Sequence, residues 1–145
     1  MRFTLCSTLL ALTATQAVWA QTDAAAVAAR EPGAVVTATG LVYRSLKEGD
    51  GPSPVATDKV RVHYRGTFPD GREFDSSYSR NEPAEFPLDK VIKCWTEGVQ
   101  RMKVGGKAKL TCPARIAYGE RGAGGVIPPN ATLQFEVELL GIAGR

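Results

Sequence analysis

The side chains of this sequence that could build a site are aromatic rather than nucleophilic. The one histidine, His63, lies on the polar face of a predicted strand, where we expect it to be solvated or bonded at the surface. No serine or cysteine has a convincing histidine partner, and no carboxylates cluster in one predicted cleft. No spacing is typical of a metal site. An enzyme built from these residues would work without a nucleophile, a metal or a cofactor.

Six aromatic residues are better candidates for building a binding site than the nucleophilic or metal-binding residue types. Singly, each is explained as part of the core, but together they outnumber what a small sheet-and-helix core needs. Asp75 directly follows one of them, and the end of a strand at Ser76-Ser77 would let its carboxylate reach a pocket rim, paired with Arg80. The aromatic residues, all at inward-facing positions or beside turns, are Tyr64, Phe74, Phe86, Trp95, Tyr118 and Phe135.

The glycine-rich stretch AYGERGAGGVIPPN, residues 117–130, suggests a phosphate loop at first sight. Such a loop needs its glycines between a strand and a helix N-terminus, usually with Lys-Ser/Thr following. Here Pro128 and Pro129 precede a strand instead, and they stiffen the chain. We therefore predict a mobile flap with an apolar tip at Val126 and Ile127.

Alternating strands and one helix must position these groups. The segments 59–66, 107–112 and 132–141 each place apolar residues on one face and polar residues on the other. Trp95, Val99 and Met102 form one apolar helical stripe, which Gly105-Gly106 should end. The pattern predicts an α+β domain: a curved antiparallel sheet of five or six strands wrapped around one short helix.

Composition and the N-terminus indicate one exported domain. The 145 residues are 43% hydrophobic and 23% charged, as in globular domains, and the formal charge of +3 is spread without a basic block for nucleic acid. Residues 1–20 resemble a signal peptide removed after Ala20, too polar for a membrane anchor. We expect residues 21–38 to be a flexible Ala-rich leader and residues 39–145 to be the domain, in the periplasm or secreted.

Removal of the signal peptide would leave two cysteines, Cys94 and Cys112. In an oxidising compartment such a pair forms a disulfide or stays as two buried thiols, and the sequence leaves both alternatives open.

Three long segments, VRVHYRGTFPDGREFDSS, VIKCWTEGVQRMKVGGKAKL and AYGERGAGGVIPPNATLQFEVELL, resemble in content and order the FKBP-type peptidyl-prolyl cis-trans isomerases. The resemblance covers Thr39 to Ile142, and the leader fits an exported bacterial member. It implies the fold predicted above, with a pocket between helix and sheet that accelerates the isomerisation of Xaa-Pro bonds.

The resemblance also implies roles for individual residues. Trp95 would form the floor under the substrate proline ring, and the Ile92 N–H and the Tyr118 hydroxyl would bind substrate carbonyls, with Asp75 at the pocket edge. The substrate-binding walls, rim and lip would be Tyr64, Phe74, Phe135, Val91, Val126 and Ile127.

The implied partners are proline-containing unfolded or folding polypeptides, and the family's macrolide inhibitors are further candidate ligands. We expect a monomer, because dimeric members of the family carry long helical N-terminal regions, whereas residues 21–38 of this sequence provide only a short leader before the domain. The chain departs from the family pattern at Cys94, where glycine is frequent, at Ala84, where some members have an aromatic residue, and at Ala123-Gly124 in the loop.

The alternative function is a holdase chaperone or proline-binding module with little turnover.

Overall fold

A computed structural model of the chain describes residues 24–143, and the predicted signal peptide lies outside the described residues. Helix α1 covers residues 24–29 of the described part, and helix α2 is Lys93–Gln100. Short 3-10 turns lie at Leu88–Lys90 and Ala114–Ile116. The seven strands are β1 Ala34–Val36, β2 Val42–Lys47, β3 Lys59–Thr67, β4 Glu73–Ser76, β5 Ala84–Pro87, β6 Lys107–Cys112 and β7 Leu133–Ile142.

The seven strands form a single antiparallel sheet in the order β1-β2-β6-β7-β3-β4. Strands β4 and β5 pair with opposite ends of the same edge of β3. The predicted antiparallel sheet with one central helix is confirmed, and its seven strands, which include the short β1 and β5, exceed the five or six expected.

Strands β3 and β7 form the centre of the sheet, and both alternate as predicted. Val62 pairs with Leu139 and Tyr64 with Val137, and all four side chains are buried on the concave face. The intervening residues of β3 are exposed or half-buried. Alternation places the apolar half of each strand on one face, so the core lies on that face.

Helix α2 lies in the concave face of this sheet. Trp95 and Val99 are buried there, and the helix packs closely on β6 because a Cβ atom at Gly98 would lie only 2.8 Å from a methyl carbon of Leu110. The helix ends at Gln100, earlier than the predicted stop at 105–106, because the N–H groups of Arg101 and Met102 donate to the carbonyls of Gly98 and Val99, three residues back, in a tighter turn.

The structure differs from the predicted flexible leader over residues 24–36. Helix α1 leads into β1, which pairs with β2 at the edge of the sheet. Glu31 accepts hydrogen bonds from Arg44 Nη1 at 2.7 Å and Lys109 Nζ at 2.9 Å. Because these bonds come from two neighbouring strands, they hold the segment across the outer face of the sheet.

Within residues 24–143, neither helix has the length and apolar character needed to cross a membrane.

Candidate binding site between the helix and the sheet

A cavity of about 460 Å³ opens between the start of α2 and the concave face of the sheet. This volume falls in the range of small-molecule and peptide side-chain pockets. Eight of the ten predicted site residues line it, together with two others. The complete lining is Tyr64, Phe74, Asp75, Phe86, Lys90, Val91, Ile92, Trp95, Tyr118 and Phe135.

Trp95 forms the floor of the cavity and contacts three other rings edge-on. Its ring centroid lies 5.3 Å from Tyr64, 5.7 Å from Phe86 and 5.5 Å from Phe135, with interplanar angles of 84°, 87° and 89°. Edge-to-face pairs at these separations are favourable and restrict ring rotation. The floor and walls are therefore a preformed apolar surface.

The Phe74 wall depends on a glycine in the neighbouring strand. Phe74 packs edge-on against Phe135 at 5.6 Å, directly above Gly66 of β3. A Cβ atom at Gly66 would lie 2.5 Å from Phe74 Cζ and 3.0 Å from Phe135 Cε1. Glycine at this position therefore allows both rings to close over the strand.

Phe74 and Asp75 are adjacent in β4, yet both line the cavity. The β3–β4 register shifts between Gly66 and Thr67, and β4 ends at Ser76. Because regular alternation would turn neighbouring side chains to opposite faces, this irregularity explains how both reach one pocket.

A polar network connects Asp75 to the aromatic wall. Its carboxylate accepts hydrogen bonds from the Tyr64 hydroxyl at 2.5 Å and from Arg80 Nη1 at 2.7 Å, and Arg80 Nη2 donates to the Tyr64 hydroxyl at 3.0 Å. Burial alone would raise the pKa of Asp75, but the Tyr64 and Arg80 hydrogen bonds and the Arg80 charge together lower it. Burial and the bond to Asp75 raise the pKa of Tyr64.

We expect this network to make stability sensitive to acid. A carboxyl group whose pKa is lowered by folding stabilises the protein above its unfolded pKa of about 3.9, and the contribution is lost as the pH falls through the folded value. The free energy of unfolding of the wild-type protein should thus fall more between pH 5 and pH 2 than that of Asp75→Asn. Urea titrations across this range measure the difference, and parallel pH profiles would contradict it.

Ser77 supports Tyr64 from behind the pocket wall. Its hydroxyl is fully buried, accepts a 2.7 Å hydrogen bond from the Tyr64 N–H and lies 2.8 Å from His63 Nδ1. His63 also stacks on Tyr78 with 4.7 Å between ring centroids. The lone histidine is thus half-buried and bonded at the outer face of the sheet.

Ser77→Ala should lower the free energy of unfolding by about 1–3 kcal/mol, because it leaves a buried backbone N–H without its acceptor. Chemical denaturation measures the loss. Ser53→Ala, at an exposed serine, is the matched control and should stay within about 0.5 kcal/mol of wild type. Equal stabilities of the two variants would contradict the supporting role of Ser77.

The start of α2 presents backbone donors to the cavity. Ile92 is the N-cap residue, and no side chain caps the helix. Among the described residues, the Ile92 N–H has no hydrogen-bond acceptor. The first N–H groups of a helix have no partner within the helix, so this amide is available to a ligand carbonyl.

The glycine-rich loop does not form the predicted lip. Ala123 and Ile127 exchange backbone hydrogen bonds at 2.9 and 3.0 Å, which closes the tip and buries the Ile127 side chain in the core. Val126 is 58% exposed, and neither Val126 nor Ile127 lines the cavity. Tyr118, from the start of the loop, does reach the cavity mouth. The loop leads into β7 rather than a helix, so it lacks the frame of a phosphate loop.

Two lining residues, Phe86 and Lys90, are not among the site residues predicted from the sequence. Phe86 belonged to the aromatic set but lies in β5, a strand that the sequence pattern did not indicate. Lys90 lies in the 3-10 turn before α2, and its position directly before the VIKCW segment that begins at Val91 is the signal in the sequence that could identify it. Among the described residues, no group of three or more His, Cys, Asp and Glu side chains could hold a metal ion.

Cys94 and Cys112 are joined by a disulfide in the structure. Cys94 lies in the first turn of α2 and Cys112 ends β6, and both are fully buried. The bond connects the start of the helix, beside Trp95, to the sheet.

This fold and cavity define a class of protein with an aromatic pocket between one helix and an antiparallel sheet. The family model described as "FKBP-type peptidyl-prolyl cis-trans isomerase" matches residues 51–140. The chain therefore belongs to the FKBP-type peptidyl-prolyl cis-trans isomerase family, which confirms the resemblance seen in its motifs.

Individual relatives agree with this assignment. The chain is 56% identical over 114 residues to an FKBP-type isomerase, FkpA, of Aeromonas hydrophila and 54% identical to an FKBP-type 22 kDa isomerase of Escherichia coli. Each alignment covers 79% of this chain but 42% and 55% of the relatives, so the chain spans about half of their length.

Solved structures show the same fold. The crystal structure of FkpA from Escherichia coli matches with a TM-score of 0.82 at 48% identity, covering 84% of this chain and 57% of that one. An isomerase from Pseudomonas syringae matches with a TM-score of 0.80 at 40% identity, covering 87% of this chain and 92% of that one.

Proposed function

We propose that this protein binds proline-containing polypeptides and accelerates the cis-trans isomerisation of their Xaa-Pro bonds during the folding of exported proteins. The observation that carries the proposal is the preformed aromatic cavity, with an available backbone donor at Ile92 on its rim. An apolar pocket of flat rings suits a proline side chain, and the rim donor suits the carbonyl beside it.

Such a pocket can act on the amide without forming a covalent bond. An Xaa-Pro bond has a rotation barrier of about 18–20 kcal/mol that arises from amide resonance. Water stabilises the polar, planar amide more than the twisted one. Moving the amide from water into a dry aromatic cavity removes part of that stabilisation, so the enzyme binds the twisted transition state better than the planar ground states.

The lining residues divide this work. Trp95, Tyr64 and Phe135 hold the proline ring, and Phe74 closes the side of the pocket. The Ile92 N–H and the Tyr118 hydroxyl hold the flanking carbonyls while the amide twists. Both carboxylate oxygens of Asp75 accept hydrogen bonds, and its lowered pKa keeps it ionised, so we assign it an orienting rather than a proton-transferring role.

The test is the isomerisation rate of a short Xaa-Pro peptide at catalytic concentrations of the protein. We expect acceleration that is proportional to protein concentration. If the protein does not accelerate isomerisation but suppresses the aggregation of an unfolded client, the isomerase proposal is contradicted and the holdase alternative is supported. Competition by a macrolide inhibitor of the family tests whether such ligands enter the same pocket.

We further propose that the protein is exported after cleavage following Ala20 and is a monomer in the periplasm. The hydrophobic N-terminus with its Val18-Trp19-Ala20 site supports export. The mass of the non-reduced protein recovered from the periplasm tests the cleavage site and the disulfide together, and light scattering measures the oligomeric state. A protein beginning at Met1 in the cytoplasm would contradict export.

A further inference from the structure

The pocket lining contains two charged side chains with different surroundings. Asp75 is neutralised by Arg80 at 2.7 Å. Lys90 forms no ion pair with any described residue: Glu85 of β5 pairs with Lys59 of β3, and no bond joins Lys90 to the adjacent, exposed Asp89. Lys90 is thus an exposed lysine of the cavity lining that has no ion-pair partner among the described residues.

Helix α2, which follows Lys90 in the chain, does not offset the positive charge of this lysine. Helix α2 begins three residues after Lys90, at Lys93, and it has no acidic residue in its first turn. The unpaired N–H groups at a helix start carry a partial positive charge of the same sign. This side of the rim therefore favours a negative group in whatever chain lies across it.

We propose that Lys90 is a specificity-determining residue that selects substrates with an acidic side chain next to the proline, an inference that rests on the proposed function. When the ring enters the pocket, the residues on either side of it must lie across the rim. Neighbouring residues of an extended chain are about 3.3–3.6 Å apart along the chain, so an adjacent carboxylate lies within reach of the flexible lysine.

Two pairs of peptides test the proposal, identical except for Glu or Gln directly before the proline in one pair and directly after it in the other. The ratio of kcat/KM for Glu over Gln should be about two- to fivefold in at least one pair, the size expected for an exposed ion pair. It should fall toward one in Lys90→Gln and in 1 M salt, which screens charges beyond about 3 Å. Lys103→Gln, with the same charge change outside the pocket lining, should keep the wild-type ratio.

A ratio near one in wild type, or a preference that survives in Lys90→Gln, would overturn the role of Lys90. Absence of turnover for every peptide would instead overturn the proposed function. In that case the role of Lys90 is tested by binding alone, with the affinities of the same Glu and Gln peptides measured by titration of Trp fluorescence. The Glu peptide should bind more tightly than the Gln peptide to the wild-type protein, and equal affinities would overturn the role of Lys90.

Discussion

Trp95→Leu should lower kcat/KM for Xaa-Pro isomerisation by roughly tenfold to hundredfold in a protein that still folds. The indole is the floor of the cavity and the common edge-on partner of Tyr64, Phe86 and Phe135. Leucine keeps apolar character but provides no flat surface under the proline ring, and it releases the three rings from their perpendicular contacts.

The magnitude follows from contact area. An aromatic side chain buries about 150–250 Å², and apolar burial stabilises by about 25 cal/mol per Å². Losing about 1.5–3 kcal/mol of this contact with the substrate corresponds to the tenfold to hundredfold decrease in rate. Among described residues the Trp95 Nε1 atom has no hydrogen-bond partner, so the substitution leaves no buried acceptor unpaired and its cost in stability is mainly apolar.

Tyr43→Leu is the matched control, since it also replaces an aromatic ring by leucine, at a half-buried position of β2 outside the pocket lining. We expect it to keep kcat/KM within about twofold of wild type, the scale of a small change in binding energy. Circular dichroism establishes that both variants are folded. Wild-type kcat/KM in folded Trp95→Leu would contradict the role of the aromatic floor.

The elements predicted well are those whose pattern is long enough to repeat. Strands β3 and β7 run for nine and ten residues, so their alternation marks the concave face without ambiguity. Strands β1 and β5 have three and four residues, too few to establish a period. The packing of the N-terminal segment depends on Glu31 meeting Lys109, 78 positions away, which no local pattern contains.

The candidate site divides in the same way. Residues within long motifs, such as Trp95 and Asp75, could be predicted as site residues from the sequence because the neighbouring residues in the motif identify their positions. The positions of Val126 and Ile127 depend on the bridge between Ala123 and Ile127, a hydrogen-bond pairing that the glycine content does not specify. Glycines in this loop at positive φ, such as Gly124 and Gly125, allow several turn geometries, of which the structure adopts one.

Reduction of the Cys94–Cys112 disulfide should cause a large loss in the free energy of unfolding. Its cysteines are 18 positions apart, with a Cα–Cα separation of 5.8 Å that lies within the usual range. In the chain-entropy account, a crosslink closing a loop of this size stabilises the folded state by about 3 kcal/mol. Reduction with a thiol reagent should shift the urea midpoint down by about 1–3 M.

A double variant, Cys94→Ala with Cys112→Ala, distinguishes the effect of losing the crosslink from any other effect of the thiol reagent on stability. Its midpoint should be as low as that of the reduced protein or lower, because it also loses two buried sulfur atoms, and thiol reagent should not lower it further. Both cysteines are fully buried, so we expect reduction of the native protein to need transient opening and to be slow without denaturant.

The disulfide also bears on the pocket, because Cys94 precedes Trp95 in the first turn of α2. If the bond only restricts the unfolded chain, the reduced protein should keep its kcat/KM under conditions where it remains folded. If the bond also holds the helix start against β6, kcat/KM should fall together with stability. We expect the first result, since Trp95 and Val99 also pack in the apolar core and the helix packs closely on β6 at Gly98 and Leu110. Unchanged urea midpoints on reduction would contradict the crosslink's contribution to stability in either case.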